Sequence, residues 1–347
     1  MEKVFVSFVS EKPLEGDSPK VRVQSEDPNK EYLVEFIDLD LGQVISVSKI
    51  NSNLIAISGR QWFFNCLIRV YRDGENIPFF QERFDPRGKT VFIKIDGRAL
   101  GDNLSWIPYV EEFRKKWDCN VICSTFFNDL FIKIYPEILF VKPNTKIDNI
   151  YAQCYIGAHG EINEKYSPIE SYRSPLQKVS SSSLNLEWEE IRPKLENLLL
   201  NSRPPMSEKY VCISEHASGE KKKWQEVGGW QKVVDFLVSE GYKVVVISKE
   251  PTELKNVIDL TGNYSLIDRA YYLYHSKFFI GVSSGLSWLA WSVNTHVLMI
   301  SDCTPVWHEF NYNMTRVSAN PNLENVNYDV INHTKSEEVI RKIKNLL

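Results

Sequence analysis

Apolar residues in the first ninety positions alternate with polar ones in short runs: residues 4–9, 32–37, 44–47, 54–57 and 66–71. Turn signals separate them, among them Glu15-Gly16-Asp17, Asp27-Pro28-Asn29 and Asp73-Gly74. Period-two alternation between such breaks predicts strands, and no stretch there has convincing helical length. Residues 1–88 therefore read as an antiparallel or barrel-like β module.

At Lys89 the texture changes. Residues 90–95 form a near-continuous apolar run, followed by Asp96-Gly-Arg-Ala-Leu-Gly-Asp102 and an amphipathic stretch over 104–116. Residues 120–124 and 138–141 are further strands, with a helix expected over 127–135 between them and one more strand over 149–156. Strand, glycine turn, helix, strand is the pattern of a parallel, doubly wound sheet. A serine run at 180–183, a helix expected over 188–200 and Ser202-Arg-Pro-Pro-Met206 then read as an interdomain connection. The pattern restarts with strands at 210–214, 243–247, 277–282 and 297–300. Helices are expected over 228–240, 265–276, 285–293 and 336–347. The expected architecture is α/β: a β module (1–88), a first Rossmann-like domain (89–203) and a second (204–347), with a ligand cleft at the carboxyl ends of both sheets.

Composition narrows the function. With 41 Lys+Arg against 45 Asp+Glu, the net charge is −4, so no basic surplus exists to meet nucleic acid or an anionic membrane. No run approaches the roughly 18 apolar residues of a membrane span, and the N-terminus lacks a signal-peptide core. The six cysteines form no C-x-x-C pair; reduced thiols in a cytoplasmic protein are expected.

Three stretches could carry chemistry. The first is Leu100-Gly101-Asp102, where a glycine turn after a parallel strand sets Asp102 at or near a helix N-cap, at the mouth of the first sheet. A carboxylate there could take a proton from an acceptor hydroxyl; a plain helix cap is the structural alternative. The second is Gly281-Val-Ser-Ser-Gly-Leu-Ser-Trp288. Ser283, Ser284 and Gly285 let the backbone approach an anion at a helix N-terminus, without the G-x-G-x-x-G or G-K-[ST] signatures of dinucleotide or P-loop sites. A nucleotide-sugar phosphate fits; a tight packing turn is the alternative. The third is Ser214-Glu-His-Ala-Ser-Gly-Glu-Lys-Lys-Lys-Trp224, where a lysine could stabilise charge on a departing diphosphate, with His216 and Ser218 as further polar contacts. The histidines lack H-x-x-x-H spacing, and the one D-x-D, Asp38-Leu-Asp40, lies in the β module. No metal site and no cofactor beyond a nucleotide-sugar co-substrate are expected.

Gly101-Asp-Asn-Leu-Ser-Trp-Ile-Pro108 resembles the Gly-Asp-x-x-x-x-x-Pro signature of bacterial heptosyltransferases, and Phe279-Ile-Gly-Val-Ser-Ser-Gly-Leu-Ser-Trp-Leu-Ala290 resembles their nucleotide-sugar loop. Arg60-Gln-Trp-Phe63, Ile95-Asp-Gly-Arg-Ala-Leu-Gly-Asp102, Tyr109-Val-Glu-Glu-Phe-Arg-Lys-Lys116, Trp224 with Gly229-Trp-Gln231, and Leu273-Tyr-His275 look more closely like the autotransporter heptosyltransferases. That resemblance implies a GT-B fold and inverting, metal-independent transfer, with heptose from an ADP-heptose moving to a hydroxyl of a protein or glycan. It implies Asp102 as general base and Lys222 near the donor phosphates, with Lys221 or Lys223 as alternatives. Ser218, Arg269, Ser283, Ser284, Gly285, Leu286 and Trp288 are implied on the donor side. A homo-oligomer is possible. The family's autotransporter members carry a cysteine-rich, iron-binding C-terminal segment, whereas residues 311–347 contain no cysteine. A non-catalytic carbohydrate-binding or assembly partner is the alternative function. The β module is expected to hold an extended acceptor.

Overall fold

The computed structural model describes residues 2–9, 19–95, 97–157, 168–217 and 219–347. Ser218 and the Glu15-Gly16-Asp17 turn lie outside the described residues. The alternating runs form two antiparallel sheets. One has the order β1 (Lys3–Ser7), β2 (Lys20–Gln24), β5 (Ile55–Ile57); the other is β4 (Gln43–Asn51), β3 (Glu31–Asp38), β6 (Cys66–Arg72), β7 (Phe80–Arg83). Alternation dictates which side is covered: Tyr32, Val34 and Phe36 of β3 are fully buried, while Glu31, Leu33 and Glu35 between them are not. The β2 and β7 strands, five and four residues long, were not anticipated; each is set by pairing with its neighbours rather than by its own length.

Past β1, Phe8 bridges to Ala152 of the next sheet, and Gln153 N–H donates to the Phe8 carbonyl at 3.0 Å. Phe63, Phe84 and Tyr151 cluster with the rings of Phe113 and Trp117; Phe63 stacks on Phe113 at 5.2 Å. The β module is therefore welded to the α/β region by aromatic packing.

The first parallel sheet has the order β10 (Ile138–Val141), β9 (Asn120–Thr125), β8 (Thr90–Ile95), β11 (Ala152–Tyr155). Helix α1 (Leu100–Trp117) follows β8, and the expected helix after β9 shrinks to α2 (Asn128–Phe131). Helix α1 starts four residues before its amphipathic pattern does. Its N-cap is Ala99, without a side-chain cap bond, so Asp102 is the third helical residue and not the cap.

The connection reverses the expectation. Helix α3 (Leu176–Ser183) takes in the serine run, whereas 188–200 holds only a 3-10 turn, Leu195–Leu198. Pro193 denies that stretch a helical N–H. The serines are small enough to let α3 lie against α1: Ser180 Oγ donates to the Trp106 carbonyl at 3.1 Å, and Trp106 Nε1 donates to the Leu176 carbonyl at 2.9 Å.

The second parallel sheet has six strands in the order β14 (Ile258–Asp259), β13 (Lys243–Val246), β12 (Tyr210–Ser214), β15 (Phe279–Val282), β16 (Val297–Ile300), β17 (Met314–Val317). It is covered by α4 (Gly229–Ser239), α5 (Leu266–His275), α6 (Gly285–Ser292) and α7 (Ser336–Ile343). The strands β12, β13, β15 and β16 are buried almost throughout, as strands covered on both faces must be. Both sheets reverse their strand order, one between β8 and β11, the other between β12 and β15. Such switch points open crevices at the carboxyl ends of the strands. Among the described residues no helix is long and apolar enough to cross a membrane.

Candidate active site

A cleft of about 500 Å³ lies at those carboxyl ends. Residues 98–102 reach it from β8, Ser214 and His216 from β12, residues 248–250 from β13, and residues 283–286 from β15. The two halves of the α/β region thus contribute to one cavity.

Asp102 projects into it from the first turn of α1. Burial pushes its carboxyl up to about 6, and the Lys222 ammonium pulls the other way. A carboxylate poised near neutrality and free of a capping role is suited to general-base work. The three lysines separate cleanly: Lys221 pairs with Asp329, Lys223 pairs with Glu220 at 2.6 Å, and Lys222 alone of the three lines the cleft. A 3-10 turn, Glu220–Lys222, aims it, and its Nζ sits 4.6 Å from the centre of the Tyr328 ring.

In the same cleft, Ser284 is the N-cap of α6 in extended geometry, yet its hydroxyl caps nothing and its Oγ is buried without a partner. Gly285 and Gly101 lock the two motifs together. A Cβ on Gly285 would stand 2.7 Å from Leu100 Cβ and 3.2 Å from Gly101 N; one on Gly101 would stand 2.9 Å from Trp288 Cδ1. The α6 turn therefore fixes where Asp102 sits. Gly285→Ala is expected to cost about 1–3 kcal/mol in folding and to lower turnover by about 10–100-fold, since small misplacements of a reacting group are that expensive. Thermal denaturation beside steady-state kinetics checks this; unchanged turnover would show that the interlock does not position Asp102.

Leu286 lines the cleft, and Trp288 does so while packing against Trp291 and Phe310. Arg269 does not. It is buried, and its guanidinium donates to the carbonyls of Ile247, Ser248 and Gly262. Those bonds fix the segment carrying cleft residues 248–250, and the guanidinium expected on the donor phosphates is instead engaged with backbone carbonyls outside the cleft lining. The tempting Asp38 is spent on Arg60 at 2.7 Å, and Asp40 accepts from Asn65 and Asn185.

Sequence reasoning missed a set of residues that follow β16. His308 and Glu309 line the cleft, and both are buried. Burial opposes ionisation of Glu309, but the Arg316 guanidinium, with hydrogen bonds from Ser283 and Thr304, holds its carboxyl down at about 2. Asp302, fully buried, accepts from the backbone N–H groups of Ala319, His333 and Thr334 and so gathers the loop that delivers Tyr328. A signal existed in the small polar residues after a buried parallel strand, Ser301-Asp-Cys-Thr304.

Residues 174–305 match the model of glycosyltransferase family 9 (heptosyltransferase). The chain is 29% identical over 286 residues to the autotransporter heptosyltransferase BAHTCr of Citrobacter rodentium, covering 79% of this chain and 69% of that one. It is 28% identical over 295 residues to BimC of Burkholderia thailandensis, described as an inactive autotransporter heptosyltransferase, covering 82% and 69%. Among solved structures, the iron-containing dodecameric glycosyltransferase TibC of enterotoxigenic Escherichia coli superposes with a TM-score of 0.78 at 25% identity, over 90% of this chain and 81% of that one. TibC in complex with ADP-D-beta-D-heptose gives 0.83 at 23% identity, over 99% and 95%. These structures overturn the expectation that no cofactor is involved, because they are of an iron-containing enzyme. The described residues do not supply a fit for iron: no group of three or more His, Cys, Asp or Glu among them is placed to hold a metal ion, and the six cysteines are buried and form no disulfide. The α/β fold with its N-terminal antiparallel sheets, the matched segment and the relatives agree: the chain carries a glycosyltransferase family 9 (heptosyltransferase) segment and is similar along most of its length to the autotransporter heptosyltransferases.

Proposed function

We propose that the protein transfers a sugar, with inversion, from a nucleotide-diphospho-sugar to a hydroxyl of a protein or glycan, and that the donor is an ADP-heptose. The observation that carries this is a single cleft lined by Asp102, by Lys222 whose charge acts on that carboxyl, and by the N-terminus of α6. In this reading Asp102 takes the acceptor proton as its oxygen attacks the anomeric carbon from the side opposite the leaving diphosphate. Lys222 and the turn at 283–285 stabilise the negative charge that grows as the glycosidic bond breaks. The heptose assignment draws on TibC, whose solved complex contains ADP-D-beta-D-heptose.

Two Rossmann-like domains, 89–203 and 204–347, in a GT-B arrangement with a β module over 1–88 are part of the same reading. So are a homo-oligomer, after dodecameric TibC, and a cytoplasmic setting, in which six cysteines outside any disulfide stay reduced. The module packs on Phe113 and Trp117, eleven or more residues beyond Asp102 along α1 and so about 16 Å away. An acceptor held there would be an extended chain gripped several residues from the one modified.

The inactive relative supports a second reading, a carbohydrate-binding or assembly partner without turnover. Thermal shift with ADP-, GDP- and UDP-sugars, followed by a nucleotide-release assay, separates them. The favoured donor at one hundred times its Kd should add about 2.7 kcal/mol of stability, and ADP should be released when acceptor is added. Stabilisation by ADP-heptose without release would favour the second reading; no stabilisation by any of these donors would sink both.

A further inference from the structure

Three polar atoms on residues that line the cleft from the donor side are buried without a partner: His216 Nδ1, Ser284 Oγ and His308 Nδ1. Leaving such an atom unpaired costs about 1–3 kcal/mol, which a bound group would recover. The hydroxyl of Ser284, at a helix N-terminus, suits a phosphate oxygen. His308 lies in a different electrostatic setting.

His308 is 6% exposed, and its neighbour Glu309 is 2% exposed. Burial holds the imidazole towards its neutral form, with Lys222 and Arg316 acting in the same direction and Glu309 and a hydrogen bond to the Ser174 backbone against it. A neutral imidazole has one bare nitrogen acceptor and one N–H donor in either tautomer, and a carboxylate accepts only. One ring nitrogen of His308 is engaged with the Ser174 backbone, which leaves Nδ1 as the open acceptor, so the group that such a pair receives must donate. A hydroxyl donates; a diphosphate offers no proton and would face the Glu309 charge. Position agrees with this. The His308 carbonyl accepts from Leu176 N–H at 2.8 Å, and Leu176 is tied to α1 through Trp106. Glu309 accepts from Ser283, on the turn proposed to hold the diphosphate. The pair thus lies where the Asp102-bearing half meets the donor turn, the place a glycosyl unit must occupy if phosphate is on one side and base on the other.

We infer that His308 and Glu309 read the glycosyl unit of the donor, with His308 hydrogen-bonding a sugar hydroxyl and Glu309 excluding a second anion. This deepens the proposed function and rests on it. The Arg316 pair and the Thr304 hydroxyl, 2.9 Å from Glu309 Oε1, keep the carboxylate from turning away.

The test is titration calorimetry of the full chain with two probes, ADP and ADP-heptose, on the wild type, His308→Ala and His308→Asn. The wild type should bind ADP-heptose; if it binds neither probe, the proposed function fails and this inference falls with it. His308→Ala should weaken ADP-heptose at least tenfold while moving ADP less than twofold, and Asn, which also offers an acceptor and a donor, should restore part of the loss. Equal weakening of both probes would reassign His308 to the scaffold or the phosphates and overturn the inference. So would no change in either, with the fold verified by an unaltered Tm.

Discussion

Asp102→Asn is expected to lower transfer by about 10²–10⁴, the range that general-base catalysis contributes, while donor affinity stays within a few-fold. The asparagine keeps the shape of the side chain but cannot take the acceptor proton. Two further readouts separate a base from a merely structural carboxylate. In the wild type, kcat/KM should rise with pH through about 6, where the buried carboxyl of Asp102 ionises, and level off above it. In the variant that limb should vanish along with the activity. Stability moves the opposite way. The folded-state pKa lies above the ordinary carboxylate value, so the folded protein holds this proton more tightly than the unfolded chain does. The associated stability is therefore present at low pH and is lost as pH rises through about 6. At pH 7.5 the variant no longer buries a charge and should be more stable than the wild type, by on the order of 1–3 kcal/mol. Activity near wild type in a folded Asp102→Asn protein would reject the assignment.

Much of this site was legible before any coordinates because the chemistry sits where local pattern is strongest. A buried parallel strand followed by a glycine or serine turn has few structural solutions, and both Leu100-Gly101-Asp102 and Ser283-Ser284-Gly285 follow such strands. The sequence could not say that the two motifs touch. Gly285 against Leu100 and Gly101 is a long-range contact, made at the turn where α1 begins four residues ahead of its amphipathic pattern. The serine run illustrates a different limit. Ser180, Ser181 and Ser183 are poor helix formers, but they are buried against α1 in a helix because tertiary packing outweighs propensity. Residues 188–200 show the reverse, amphipathic spacing overridden by Pro193. His308 and Glu309 escaped notice because they lie on irregular chain, where no periodicity marks a side chain as inward-facing. Arg269 was singled out for its charge, yet its partners are backbone carbonyls that no pattern reveals.

Lys222→Met is expected to lower turnover by about 10²–10³, the loss seen when one preorganised donor to a developing negative charge is removed. Lys221→Met and Lys223→Met should change it less than threefold, since those ammonium groups are committed to Asp329 and Glu220 at the surface. The contrast among three adjacent lysines is informative because bulk charge loss is the same in each variant. A second consequence follows from the coupling of Lys222 to Asp102. The ammonium lowers the Asp102 pKa against the push of burial, so its removal should carry the acidic limb of the kcat/KM profile above pH 6. A lysine acting only on the leaving diphosphate would reduce the plateau and leave the limb in place. A lysine acting only through the base would shift the limb, and activity would return at high pH. Both a lowered plateau and a displaced limb are expected, because Lys222 faces the carboxylate and the donor turn from within one cleft. Equal losses in all three variants would instead show that the lysine run acts as a diffuse positive surface, with no single residue at the diphosphate.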